Sequence, residues 1–204
     1  MSDSLLLDLA LVLGLIMIGG FFAASEISLI TVKRHRLAQL IGEGSRAARI
    51  AQRLTDDPSR FLATIQIAIT FLGFLASAVG AVALSGSLAE LISLIPLEAV
   101  RQTAPEISFV LVTLLIALAS IIIGELVPKT LALTFADRFA LFVARPIGWL
   151  DRLLRPVVWF VSSVSNVLVR ALGGTERPQA GYLSTEELKM LVETGSQEGG
   201  IEED

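Results

Sequence analysis

The chain has no cysteine and a single histidine among its 204 residues. Without thiols there is neither a disulfide framework nor a thiolate metal site. The lone His35 stands in the basic run of residues 33–36, which excludes a histidine-rich zinc site. A metal held by this protein is therefore held by oxygen, which favours hard ions such as magnesium, calcium, sodium or manganese. Catalytic signatures are missing as well: no nucleophile elbow, phosphate loop, dinucleotide fingerprint or metalloprotease motif occurs. The sequence does not read as an enzyme.

Charge is also absent over long distances. Residues 9–25, 61–89 and 107–124 are uncharged runs of 17, 29 and 18 residues. The chain is 53% hydrophobic, with a mean hydropathy of +0.73, above the roughly 45–50% apolar content of soluble domains. About 20 apolar residues cross a bilayer. The runs therefore predict three transmembrane helices, the second long enough to tilt or to extend beyond the membrane. The first run is a poor signal peptide, because acids precede it and the basic cluster follows it. It is expected to remain in the protein.

Residues 33–60 contain seven Lys or Arg, whereas residues 85–106 contain only Arg101 beside Glu90, Glu98 and Glu106. The positive-inside rule places the first connection in the cytoplasm and the second outside. Three spans then put the N-terminus outside and the C-terminal part in the cytoplasm, in the cell's inner (plasma) membrane. The net charge of −4 is unevenly distributed. Residues 175–204 carry eight acids and two basic residues, so the basic excess belongs to membrane flanks and not to a nucleic-acid surface.

Between the first two spans, Gly42-Glu43-Gly44 breaks a helical connector, and Arg46, Arg49 and Arg53 share one face of its second half. Those arginines suit anionic headgroups or solvent equally. Residues 137–172 form an amphipathic element. Arg145-Pro146 and Arg155-Pro156 are expected to mark turns or helix starts, and Trp149, Leu153, Val157, Phe160, Val164 and Leu168 form an apolar stripe. The 14 uncharged residues between Arg155 and Arg170 are short for a crossing. A belt helix in the cytoplasmic interface is expected, with a kinked re-entrant hairpin as the alternative. After Gly173-Gly174 comes a polar linker. Ser184 and Glu187 then form a capping-box pattern that opens a short acidic helix, and the chain reads as cut from something longer.

Three charges interrupt the apolar stretches: Glu26, Glu125 and Lys129. A carboxylate at the centre of a membrane helix costs roughly 2.5–3.5 kcal/mol on insertion scales, so it needs a cation, a water-filled cavity or a partner. In IIIGELVPKTLAL (residues 121–133), Gly124-Glu125 and Pro128 are expected to break the helix. Pro128 has no N–H and clashes with the Gly124 carbonyl. That frees a carbonyl oxygen beside the Glu125 carboxylate, two oxygens in one turn. The competing reading is a proline kink with Glu125 paired to Lys129 at i+4. In GGFFAASEISLI, Ser25 offers a hydroxyl that either faces a site or bonds back to a carbonyl four residues earlier. Thr64, Gln66 and Thr70 supply polar groups near the start of the second span, for a ligand or for interhelical bonds. The three groups lie at similar depth and can converge. Gly73, Gly80 and Gly86 read as packing positions.

At these residues the chain resembles a family. GGFFAASEISLITVKRHRLAQLIGEG, DDPSRFLATIQIAITFLGFLAS and GELVPKTLAL are similar to the transmembrane domain of the CorC/CorB and cyclin M (CNNM) magnesium transporters. The resemblance covers roughly residues 5–174, with 183–204 resembling the acidic helix that leads to a cytoplasmic CBS pair absent from this chain. It implies an all-α membrane protein with three transmembrane helices and a belt helix, assembled as a homodimer. It also implies a dehydrated Mg²⁺ in an inward-facing cavity and export coupled to Na⁺. By position, Ser25 and Glu125 would be side-chain ligands, the Gly124 region a carbonyl ligand, and Thr70 or a neighbour the contribution of the second helix. Many members carry an Asn pair where this chain has Ile69-Thr70, which leaves the second-helix ligand open. The expected organisation is thus an ion-transport domain at 1–174 and a linker with an acidic helix at 175–204. The rivals are a membrane anchor and signal relay for a regulatory module, and a haemolysin-like protein, which the lack of a secretion signal disfavours.

The orientation is testable because the chain is free of cysteine. A single cysteine at Glu98 should react with an impermeant thiol reagent added to intact cells, and one at Ser45 should react only after lysis. The reverse pattern would overturn the topology.

Overall fold

The computed structural model describes residues 2–173. The linker, capping box and acidic helix expected at 175–204 lie outside the described residues. All elements among the described residues are helical. The chain divides after Ser162 into two units. The second unit's described residues are the end of α9 (Arg155–Ala171) and a turn at Gly173, whose φ is +82°.

The first unit is built on three long apolar helices. α1 covers Ser2–Thr31 and α4 covers Pro58–Ser93. The third is composite: α6 (Ala104–Ile121), a π-helical turn (Ile122–Leu126) and α7 (Val127–Thr134). Among the described residues these three helices alone are long and apolar enough to cross a membrane. At 1.5 Å per residue, the 36 residues of α4 extend about 54 Å, beyond the ~30 Å hydrocarbon core. α8 (Ala136–Leu153) and α9 reach that test only when taken together as a bent pair.

The connector folds as its spacing predicts. α2 (Arg34–Gly42) and α3 (Arg46–Asp56) meet at Gly44, whose φ of +88° suits glycine. Ser45 caps α3 by accepting from the Ala48 N–H at 3.2 Å, and Asp57 caps α4 by accepting from the Arg60 N–H at 3.3 Å. Pro58 stands in the first turn of α4, where a missing N–H costs nothing. Arg46, Arg49 and Arg53 are exposed, while Ala48, Ala51 and Leu54 on the opposite face are buried.

One proline behaves differently from expectation. Pro146 lies inside α8 and starts nothing; the break comes at Leu154, and Pro156 occupies the first turn of α9. Proline deprives one carbonyl of its helical donor, but Val143, Ala144 and Ile147 around it are fully buried, so packing holds the helix through it. Gly148 contributes by admitting Ile50, whose Cγ2 lies 2.8 Å from where a Cβ would stand. The apolar stripe residues Trp149, Leu153, Val157 and Phe160 are exposed.

Two apolar clusters hold the unit together. The larger joins the end of α1 to α2, α3, the start of α4 and α8, through Leu29, Leu37, Phe61, Ile65 and Ile147. The smaller joins the three long helices through Val12, Ile16, Ala76, Val112 and Ile116. There Gly80 lets α4 close on the end of Ile116 and on Val12. Close approach over small residues is the main attraction between helices in lipid, where the hydrophobic effect gives none.

An ion pair locks the start of α4 to the end of α8. Arg60 donates to Asp151 twice, from Nε at 3.0 Å and from an Nη at 2.7 Å. Thr64, fully buried, donates to the Arg60 carbonyl at 2.9 Å and lies 3.4 Å from Asp151 Oδ1. Thr64 thus serves the fold. Because the pair is only partly buried, Asp151→Ala should cost about 1–3 kcal/mol by leaving Arg60 unpaired. The check is a lowered thermal midpoint relative to the parent chain.

Candidate cation site at the π-helical turn

The third helix widens where the sequence suggests it breaks. Ile122–Leu126 makes one π-helical turn, in which the Val127 N–H bonds the Ile122 carbonyl five residues back, and the helix continues to Thr134. π-Bulges are rare and frequent at functional sites. The cause lies in Gly124 and Pro128. Without an N–H, Pro128 cannot serve the Gly124 carbonyl in α-register or the Ile123 carbonyl in π-register; with Val127 committed to Ile122, the Ile123 carbonyl loses both regular donors and the Gly124 carbonyl loses its α-register one. Sequence reasoning located the freed backbone oxygen at Gly124; the wider register adds Ile123. Unserved carbonyls at membrane depth are tolerated only when buried in protein or lining a cavity.

Helix α1 packs on this turn through glycine. A Cβ on Gly20 would stand 2.9 Å from Pro128 Cγ and 3.2 Å from the Ile123 carbonyl oxygen. A Cβ on Gly124 would stand 3.2 Å from Ile16 Cγ2 and 3.3 Å from the Ile16 carbonyl oxygen. Gly19, one residue earlier, meets nothing within 4 Å and instead faces a cavity.

That cavity, of about 150 Å³, lies between α1, α4 and the π-helical turn, well above the roughly 10–15 Å³ that one water needs. Its polar lining comes from Ser120, Gly124 and Glu125, and Gly19, Ile69 and Gly73 close the other sides. Ser120 Oγ is buried and has no hydrogen-bond partner. Sequence reasoning missed Ser120. Its signal was a hydroxyl four residues before Gly124, and so on the same helical face, in an otherwise apolar run.

Of the four residues singled out from sequence, Gly124 and Glu125 line the cavity and Ser25 and Thr70 do not. Ser25 is fully buried and donates to the Phe21 carbonyl at 2.6 Å, the back-bonding alternative. Thr70 is exposed and accepts from Gln66 Nε2 at 3.4 Å; its neighbour Ile69 takes the cavity wall.

The charges meet on the far side of Glu125. Lys129 Nζ donates to Glu125 Oε1 at 2.8 Å and lies 3.2 Å from Glu26 Oε2. The i+4 pairing weighed in the sequence is therefore present, with Glu26 as a third member from α1. Glu125 remains about half exposed, at 47%, and lines the cavity as well as pairing with Lys129. Glu26 Oε2 is buried and accepts no aligned hydrogen bond. Among the described residues no three His, Cys, Asp or Glu side chains cluster as a metal site would need. Any hard-ion site here is thus one carboxylate supplemented by hydroxyl, carbonyl and water.

Residues 10–204 match the family model described as the cyclin M transmembrane N-terminal domain. The UPF0053 protein sll0260 of Synechocystis is 34% identical over 202 residues, covering 99% of this chain and 44% of that protein. YhdT of Bacillus subtilis is 31% identical over 188 residues, covering 92% of this chain and 40% of that one. A protein of Haemophilus influenzae named as a polyamine export protein is 27% identical over 190 residues, covering 92% of this chain and 43% of that one. The chain spans less than half the length of these curated relatives.

The two adjacent glycines should respond oppositely to added bulk. Gly20→Val forces α1 off Pro128 and should cost roughly 1–3 kcal/mol, as overpacking does, read as a lower unfolding midpoint. Gly19→Ala meets open space and should leave that midpoint within experimental scatter.

Proposed function

Because the chain belongs to the cyclin M transmembrane N-terminal domain family, we propose that this multi-pass membrane domain exports Mg²⁺ from the cytoplasm. The cavity at the π-helical turn would be its cation site. The observation that carries this reading is the cavity's all-oxygen polar lining. It combines the Glu125 carboxylate, the unpartnered Ser120 hydroxyl and Gly124, whose carbonyl Pro128 cannot serve in α-register. Hard divalent ions take such ligands, and Mg²⁺ takes six oxygens at about 2.0–2.1 Å, often keeping several waters. In this reading Glu125 and the Gly124 carbonyl are ligands and Ser120 joins them. Ser25 and Thr70 ligate only after their side chains turn from their present bonds. The resemblance supports Na⁺ as the coupling ion, a homodimer as the working unit, and a CBS pair on the cytoplasmic side as regulator. The charge asymmetry between loops supports an orientation with the N-terminus outside.

A specific observation favours a second cargo. Lys129 seats an alkylammonium between Glu26 and Glu125, and a polyamine presents the same group. The Haemophilus relative is named for polyamine export. The anchor reading differs from both in needing no ion at Glu125.

Thermal stabilisation by added ligand separates the three. At a concentration 100 times its Kd a bound ligand adds about 2.7 kcal/mol of stability. Mg²⁺ should raise the midpoint of the parent chain, Glu125→Ala should abolish that rise, and Ser120→Ala should reduce it. Stabilisation by spermidine and not by Mg²⁺ would favour the second cargo. No ligand response, with Glu125→Gln fully functional, would favour the anchor.

A further inference from the structure

We propose that Lys129 is a tethered competitor for the cargo site, handed from Glu125 to Glu26 when a cation binds. This rests on the reading of Glu125 as a cargo ligand and goes beyond it to say what sets the affinity of that ligand. A single ammonium stands between two carboxylates on different helices. Its good hydrogen bond, at 2.8 Å, goes to Glu125 on the π-helical turn. The other carboxylate, Glu26 on α1, offers Oε2 at 3.2 Å, buried and without an aligned hydrogen bond. Glu26 Oε2 is thus already ion-paired with the ammonium, and a stronger contact needs only better alignment.

The geometry defines an exchange. A cation that binds the Glu125 carboxylate draws on its negative charge, weakens its hydrogen bond from Lys129 and repels the ammonium. Lys129 has one nearby place to go, and a small turn of its flexible stem aligns Nζ with Glu26 Oε2. No proton moves and Lys129 stays charged. Glu26 is therefore a positioning residue: it touches no cargo and acts by accepting Lys129. The arrangement lowers cargo affinity relative to a free Glu125, which eases release. It also keeps an opposite charge against a carboxylate at membrane depth throughout the cycle.

A double variant isolates this exchange from simple charge effects. The cluster of two carboxylates and one ammonium carries a formal charge of −1. Glu26→Gln with Lys129→Met leaves Glu125 alone, also −1, so long-range attraction for a cation is unchanged and folding is not burdened by paired bare carboxylates. If Lys129 competes, the double variant should bind Mg²⁺ at least fivefold more tightly than the parent, as expected for a coupling of ordinary size. Glu26→Gln alone should bind more weakly than the parent, because Lys129 then has nowhere else to go. Mg²⁺ titration of the purified chain in nanodiscs, by calorimetry, reads all three. Equal affinity in the parent and the double variant would overturn the handover while leaving Glu125 as a ligand. Mg²⁺ binding that also survives Glu125→Ala unchanged, or is absent from every variant, would overturn the site reading itself and the handover with it.

Discussion

A carboxylate within an apolar helix has to be neutralised, and much of this structure is arranged around that requirement. Glu125 stands in a helix of 31 residues long and apolar enough to cross a membrane, where an uncompensated charge costs several kcal/mol. Compensation comes from within the same helix, one turn on, through Lys129, which also pairs with the Glu26 carboxylate of α1. The pairing brings α1 and the third helix together at one level, and glycine makes that approach possible. Gly20 accepts Pro128 and the Ile123 carbonyl, and Gly124 accepts Ile16. Replacing these glycines with larger residues would separate the helices that carry the opposing charges.

The same proline that frees backbone oxygens also sets the register. Gly124 and Pro128 widen the turn to i+5, so the helix passes through the site without breaking, and its last turns still reach Thr134. The consequence is that the Ile123 and Gly124 carbonyls lose their usual donors beside a carboxylate, on a helix that continues and packs against α1 and α4. A true break would have released those oxygens to a mobile loop. Outside this region a second, larger core binds α2, α3 and α8 to the ends of α1 and α4, and the Arg60–Asp151 pair clamps it. The site therefore hangs on a packed base formed by the connector helices.

Much of this was legible in the sequence, and the reasons are physical. Uncharged runs fixed the three long helices because length and apolarity alone decide that question. Gly44 and Ser45 marked the break between α2 and α3 through φ and capping, which are local. What failed was what depends on neighbours. Pro146 reads as a helix start until the burial of Val143, Ala144 and Ile147 is known. Gly124 and Pro128 read as a break because sequence spacing does not distinguish a lost turn from a wider one. Ser25 carries both readings because its rotamer is set by its neighbours, and Ser120 gives a weak signal because one hydroxyl in an apolar run has many uses. Family resemblance supplied the ligand set by position; geometry brings Gly124 and Glu125 into the cavity, adds Ser120, and directs Ser25 and Thr70 elsewhere.

The central claim is that a hard cation binds at the π-helical turn, against Glu125 and the backbone oxygens beside it. Mn²⁺ shares the oxygen preference of Mg²⁺ and scatters anomalously, so crystals grown with Mn²⁺ locate the ion directly. The account predicts an anomalous peak within about 2.0–2.3 Å of a Glu125 carboxylate oxygen, inside the cavity lined by Gly19, Ser120 and Gly124. A peak elsewhere, with Lys129 still bonded to Glu125 and no density in the cavity, would contradict it.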